Sequence, residues 1–308
     1  MYREKIGVKR LNAWVFAATV PVLVQLLSGS GWVSAGVLVS LAVAAVALHD
    51  RRGREPAKWQ CPFYIIYIVL LLTALLPLAA DSWPAGETEE AVWMILLLLA
   101  AVSAGKGPGA ASAVGAVLFW VVLILYGLLF LVGIKDVRPE WLKPQWTMPQ
   151  PLAMAVLLIA PGSCCLAERK GENRRAFRLA AVTVTAAAAL TAGVLSPWVA
   201  VECTDAFYEM SRSGSITGIA GRLEPLVSAA MTVGWFALVN LLLTQCGALT
   251  EKTFGRGGKV GVWLAAAATA IGCLCGLHIS GWLLLGAGTV FWVFLPALPQ
   301  GLGPEKKS

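Results

Sequence analysis

The chain has 308 residues, of which 58% are hydrophobic and 13% charged, with a formal net charge of +7. A soluble globular domain carries roughly 25% charged residues, so the composition excludes one. Excess positive charge is also a mark of nucleic-acid binders, but its distribution along this chain excludes that reading.

Ten apolar stretches follow one another, at 11–28, 32–49, 61–80, 91–104, 111–133, 151–167, 178–199, 225–249, 260–277 and 281–299. A helix needs about 20 apolar residues to cross the hydrocarbon of a bilayer, and an ionised side chain at its centre costs several kcal/mol. The cores of these stretches contain no Asp, Glu, Lys or Arg. The expected fold class is therefore an all-α polytopic membrane protein of about ten helices, with the lipid bilayer as its surroundings. With the N-terminus in the cytoplasm, nineteen of the 24 Lys and Arg fall on the cytoplasmic side, and only Lys135, Arg138, Lys143, Arg212 and Arg222 fall outside. That is a positive-inside pattern, and it places both termini in the cytoplasm. The basic charge thus reports orientation, and no nucleic-acid partner is expected.

The basic start and first apolar run imitate a secretory signal. The run reads here as the first permanent helix, because removing it spoils both the even count and the charge pattern. Trp32, Trp59, Trp83, Trp141, Trp146 and Trp198 sit near span ends, where amphipathic indoles anchor helices at the interface. Cys273 and Cys275 diverge by about 200° on a helix, and the histidines are His49 and His278 alone. No metal site, cofactor or enzymatic activity is expected. Ser163 has no base near it in sequence, and the stretch at 105–109 lacks the strand–loop–helix context of a phosphate loop.

Two longer connections stand out, 134–150 and 200–224, and an amphipathic helix is expected at 205–212 within the second. The first divides the single transmembrane domain into two halves of five helices, 1–133 and 151–300. Five is odd, so the sixth span enters from the side opposite to the first, and the halves have inverted topology. Transporter folds built this way place a ligand at mid-membrane, where the first helix of each half is broken. Both helices carry breakers in corresponding positions: Thr19, Pro21 and Gln25 before Ser28-Gly29-Ser30-Gly31 in the first, and Ala160, Pro161, Gly162 and Ser163 in the sixth. Proline removes a backbone donor, and the freed groups must be satisfied by something. The expectation is a pair of broken helices, 1 and 6, whose residues bind a small ligand.

Other groups are placed to line the same space. Thr232, Phe236, Asn240 and Thr244 recur every four residues on the eighth span. Asn240 is the costliest of them to leave facing lipid. Phe236 and Asn240 join the candidate site, as does Tyr67, which lies deeper than Tyr64 on the third span. Gln25 reads either as a polar contact to ligand or as a satisfied core amide. Thr183, Thr185 and Thr191 are expected to bond back to their own helix.

The stretch Ser215-Ile216-Thr217-Gly218-Ile219-Ala220-Gly221-Arg222-Leu223-Glu224-Pro225-Leu226 resembles the entry to the eighth helix of the spore germination permeases. These are the B subunits of nutrient germinant receptors. Ala104-Gly105-Lys106 and the loop with Pro139, Trp141, Leu142 and Pro144 are similar too. The resemblance implies the amino acid–polyamine–organocation superfamily. It implies a subunit that senses a nutrient such as an amino acid and passes the signal to an A subunit and a C lipoprotein, in the spore inner membrane or cell membrane. Arg222 and Glu224 then form an outer gate or partner contact, or else a surface pair at a helix start. The alternative from a different class is a secondary amino acid or polyamine transporter. Spans without carboxylates favour a neutral or zwitterionic ligand and disfavour proton coupling.

Overall fold

The structure is a computed structural model that describes residues 6–52, 56–80, 89–144, 146, 151–158, 166, 174–203, 205–213 and 224–291. Among them are twelve α-helices: α1 (Val8–Leu27), α2 (Trp32–Arg52), α3 (Cys61–Ala80), α4 (Glu89–Gly105), α5 (Pro108–Gly133), α6 (Pro151–Leu158), α7 (Arg174–Leu195), α8 (Pro197–Glu202), α9 (Ala206–Ser213), α10 (Glu224–Phe254), α11 (Gly258–Leu274) and α12 (Gly281–Thr289). Each of the ten expected stretches contains a helix, in order. Five helical segments are long and apolar enough to cross a bilayer: Val8–Ser30, Cys61–Ala80, Pro108–Asp136, Ala176–Leu195 and Glu224–Phe254. The protein is a multi-pass, all-α membrane protein.

Punctuation by glycine and proline sets the helix ends. Gly107, at φ 104°, turns the chain after α4, a conformation L side chains resist. Pro108 then starts α5 at a position where its missing N–H is not needed. The seventh span ends earlier than expected: α7 stops at Leu195, Ser196 takes φ 71°, and Pro197 opens α8. Proline disfavours helical geometry in the residue before it, and with Ser196 in the left-handed region one continuous helix through 199 is interrupted here.

α1 lies at the centre, with 89% of its most apolar window buried against 22% for α5. It touches α5, α6, α7, α9 and α10. Two close approaches seat it. The indole of Trp14 rests where a Cβ on Gly115 of α5 would stand, and the ring of Pro21 does the same at Gly234 of α10. The Trp14 Nε1 donates to the carbonyl of Ala237 at 3.2 Å. The edge of Phe16 meets Phe119 at 5.2 Å between centroids.

The expected break at Pro21 is corrected by the structure: α1 is helical from Val8 to Leu27 with Pro21 inside it. Proline removes one hydrogen bond, and in a membrane bundle the surrounding helices hold the segment together across it. Here the proline ring fills the notch at Gly234, so its effect is packing between α1 and α10. The helix ends later, in a turn of 3-10 helix at Ser28–Ser30 and then Gly31. The second expected break, at 159–165, lies outside the described residues.

Packing pairs recur between the halves. α1 packs on α5 as α6 packs on α12. α4 packs on α10 as α11 packs on α3, and α5 packs on α10 as α12 packs on α3. The pairs α1–α7 and α6–α2, and α3–α4 and α10–α11, correspond in the same way. This is the pattern that a five-plus-five repeat requires, with α7, α10, α11 and α12 as counterparts of α2, α3, α4 and α5.

Between α7 and α10 the chain forms the short helices α8 and α9, matching the amphipathic helix expected at 205–212. Asp205 starts α9 by accepting from the backbone N–H of Tyr208 at 3.0 Å, the usual side-chain cap. The hairpin does more than rest on a surface. Phe207 is buried and stacks on Tyr126 of α5 at 5.7 Å. The carbonyl of Ala200 sits where a Cβ on Gly29 would be, so α8 covers the end of α1.

Candidate functional site

The described ligand-binding candidates lie along α1, α3 and α10, and most of their polar groups bond within the protein. Thr19 is buried and donates to Val15 of its own helix at 2.7 Å. Tyr67 is buried, donates from its hydroxyl to the carbonyl of Ala155 on α6 at 3.3 Å, and meets the ring of Phe291 edge-on. Phe236 is half-buried against the core. Ala160, Pro161, Gly162 and Ser163 lie outside the described residues, as does Arg222. Thr183, Thr185 and Thr191 donate to Leu179, Ala181 and Ala187, the own-helix bonds expected of them.

Gln25 is a three-helix clamp. Its Oε1 accepts from Trp235 Nε1 of α10 at 2.8 Å, and its Nε2 donates to the carbonyl of Leu78 on α3 at 3.3 Å. Leu78 lies in the last turn of α3, where carbonyls have no partner within the helix. The amide thus caps α3 while holding α10. Of its two expected roles, the satisfied core amide is the one the structure contains. Gln25→Leu leaves the buried indole N–H of Trp235 unpaired, at about 1–3 kcal/mol, and removes the partner of the part-buried Leu78 carbonyl. We expect a lower unfolding midpoint in detergent, read by thermal or chemical denaturation. An unchanged midpoint contradicts the clamp.

α10 carries polar groups of the opposite kind. Asn240 is fully buried; its Nδ2 donates to Ser103 Oγ of α4 at 3.2 Å, and its Oδ1 has no hydrogen-bond partner. Gln245, 1% exposed, has no partner for either Oε1 or Nε2. Gln245 follows Gly234 by three helical turns, about 16 Å along α10. It therefore lies on the stripe of α10 that at Gly234 receives Pro21 of α1. Thr244, between the two, donates to the carbonyl of Asn240 at 2.7 Å. Reading the sequence singled out Asn240 and passed over Gln245. The available signal is an amide in the middle of a long apolar run, the same signal that marked Asn240.

The interior around these amides is neutral. Among the described residues, Asp205 is the buried member of the Asp, Glu, Lys and Arg set, and it caps α9, which packs on α1, α7 and α10. At the hairpin, Arg212 bonds Glu209 at 3.1 Å and approaches Glu224 at 3.7 Å. Glu224 thus pairs with the end of α9 at the start of α10. Hydrogen bonding to Glu209, then the charges of Glu209 and Glu224, hold the guanidinium above its ordinary pKa. This clasp is exposed and adds little to stability.

No protein-family model matches the chain. No curated protein matches it either. Among solved structures, the fold is similar to that of a nucleobase-cation-symport-1 family transporter in a closed conformation with bromovinylhydantoin bound. The identity is 14% and the TM-score 0.56, over 94% of this chain and 76% of that one. The shared feature is the fold.

Proposed function

We propose that the chain is a secondary transporter for a small neutral or zwitterionic solute, of the size and polarity of an amino acid. The observation that carries this reading is a pair of buried amides on α10, with three polar atoms unpaired by protein, in a bundle where Asp205 of α9 is the one buried ionisable Asp, Glu, Lys or Arg among the described residues. A buried polar atom without a partner costs about 1–3 kcal/mol, so a solute carrying both a donor and an acceptor gains those bonds on entering. A charged polyamine finds no counter-charge there. The likeness of fold to a cation symporter supports transport more than sensing. Among the described residues Asp205, at the start of α9, is the one buried carboxylate and no histidine is buried, which favours coupling to a cation held by oxygen atoms over a proton relay through the spans.

A sensing role as the B subunit of a germinant receptor rests on the resemblance at 215–226. Of that stretch only 224–226 is described, and Glu224 is paired with Arg212. The A subunit, the C lipoprotein and the spore membrane accompany that reading alone. The first test is equilibrium binding of labelled amino acids and neutral amides to purified protein, with and without Na⁺. Saturable binding of a neutral or zwitterionic solute is expected. Binding only of cationic amines overturns the reading.

A further inference from the structure

Away from the candidate site, three basic residues gather at the end of the bundle opposite the α8–α9 hairpin. Lys106 lies in the turn between α4 and α5, Arg256 in the turn between α10 and α11, and Lys259 at the start of α11. All three are exposed. A Cβ on Gly105 would stand 3.7 Å from Nε1 of Trp263, so the end of α4 meets the second turn of α11. Lys259 precedes Trp263 by four residues and shares its face of α11, which brings Lys259 and Lys106 to one edge.

The nearby acid is already used. Glu251, in the last turn of α10, accepts from the backbone N–H of Gly258 at 3.1 Å and so caps the start of α11. Among the described residues, none of the three cations is ion-paired. α10 sets their depth. Its 31 residues rise roughly 46 Å at 1.5 Å per residue, against about 40–45 Å for a bilayer with its headgroup layers. Glu224, at its other end, meets Arg212 of the hairpin, so its last turn stands among the headgroups of the far leaflet. Phe254 ends that turn 72% exposed, and Trp263 is 45% exposed, as aromatic groups at this boundary are.

Towards the hydrocarbon the surface turns apolar: Val102 of α4 and Val260 and Leu264 of α11 are exposed. α4 and α11 pack together, so cations and apolar wall form one continuous surface. Uncompensated cations at headgroup depth attract an anionic headgroup, and the wall beside them suits its acyl chains, which a soluble anion lacks. We propose that this edge binds an anionic phospholipid, with its phosphate between Lys106 and Lys259, Arg256 beside it, and its acyl chains along α4 and α11. Transport plays no part in this inference, so it stands or falls independently of the function proposed above.

The test is native mass spectrometry of the full chain in a mild detergent, titrated with an equimolar mixture of phosphatidylglycerol and phosphatidylcholine of the same acyl chains. Wild type is expected to retain one phosphatidylglycerol with at least tenfold preference. The triple variant Lys106→Gln, Arg256→Gln, Lys259→Gln is expected to lose that preference. The triple variant Lys9→Gln, Arg10→Gln, Arg178→Gln removes as much exposed charge from the same end of the bundle and should leave the preference unchanged. Inorganic phosphate at the lipid's concentration should not displace it. Because exposed charges are screened by salt, the wild-type preference should fall several-fold between about 0.1 M and about 1 M ammonium acetate, a reading that serves should the first variant not fold. An unchanged preference in the folded first variant, an equal loss in the second, displacement by phosphate, insensitivity to salt, or no preference in wild type overturns the proposal.

Discussion

Gln245→Leu is expected to raise the unfolding midpoint of the purified protein while reducing solute uptake at least tenfold. Both signs follow from the same atoms. The side chain is buried with Oε1 and Nε2 unpaired, and a leucine of similar reach removes those groups without orphaning a partner. The gain is about 1–3 kcal/mol. A purely structural glutamine gives the opposite result, as Gln25→Leu should. The two substitutions are chemically identical and lie on helices that pack together, so the contrast isolates hydrogen-bond partnership from the loss of an amide as such. Stability and uptake are measured on the same preparations. A fall in stability with Gln245→Leu means that the amide is held by protein, and unchanged uptake means that the solute does not use it.

The second large effect lies where α1 is seated. Gly115→Ala and Gly234→Ala should each destabilise the bundle by about 1–3 kcal/mol, the usual cost of overpacking. The atoms that a new Cβ meets are the Cβ and Cγ of Trp14 and the ring of Pro21. Neither is the far end of a flexible side chain, so α1 itself must shift. Gly127→Ala is the control on the same helix as Gly115: nothing lies within 4 Å of its added Cβ, and helix propensity predicts a gain of up to about 1 kcal/mol. Chemical denaturation in detergent compares the three. If Gly115→Ala and Gly127→Ala shift the midpoint alike, the close seating of α1 is contradicted.

Pro21 shows where the sequence stops being informative. The bilayer requires long uncharged runs, so helix positions can be read from apolar length alone, and all ten stretches contain a helix. The hairpin helix α9 was legible for a similar reason, since Asp205 caps it and its apolar residues share one face. What a proline does to a helix depends on what lies beside it. The notch that receives Pro21 is Gly234, a missing Cβ more than two hundred residues away. Gln25 presents the same difficulty, since its partners Leu78 and Trp235 lie 53 and 210 residues along the chain. Trp14 and Trp235 are fully buried, with Ala237 and Gln25 supplying acceptors for their indoles, whereas Trp59, Trp146 and Trp198 at span ends are exposed. Whether a buried amide is paired is a tertiary property, and this is why Gln25 and Gln245 look alike in sequence and differ in the fold.

Uptake of a labelled neutral amino acid into proteoliposomes, with an inward Na⁺ gradient and separately an inward proton gradient, tests transport most directly. The account predicts saturable uptake that the Na⁺ gradient drives and the proton gradient does not. Saturable binding with no translocation under any gradient would contradict it and return the protein to a sensing role.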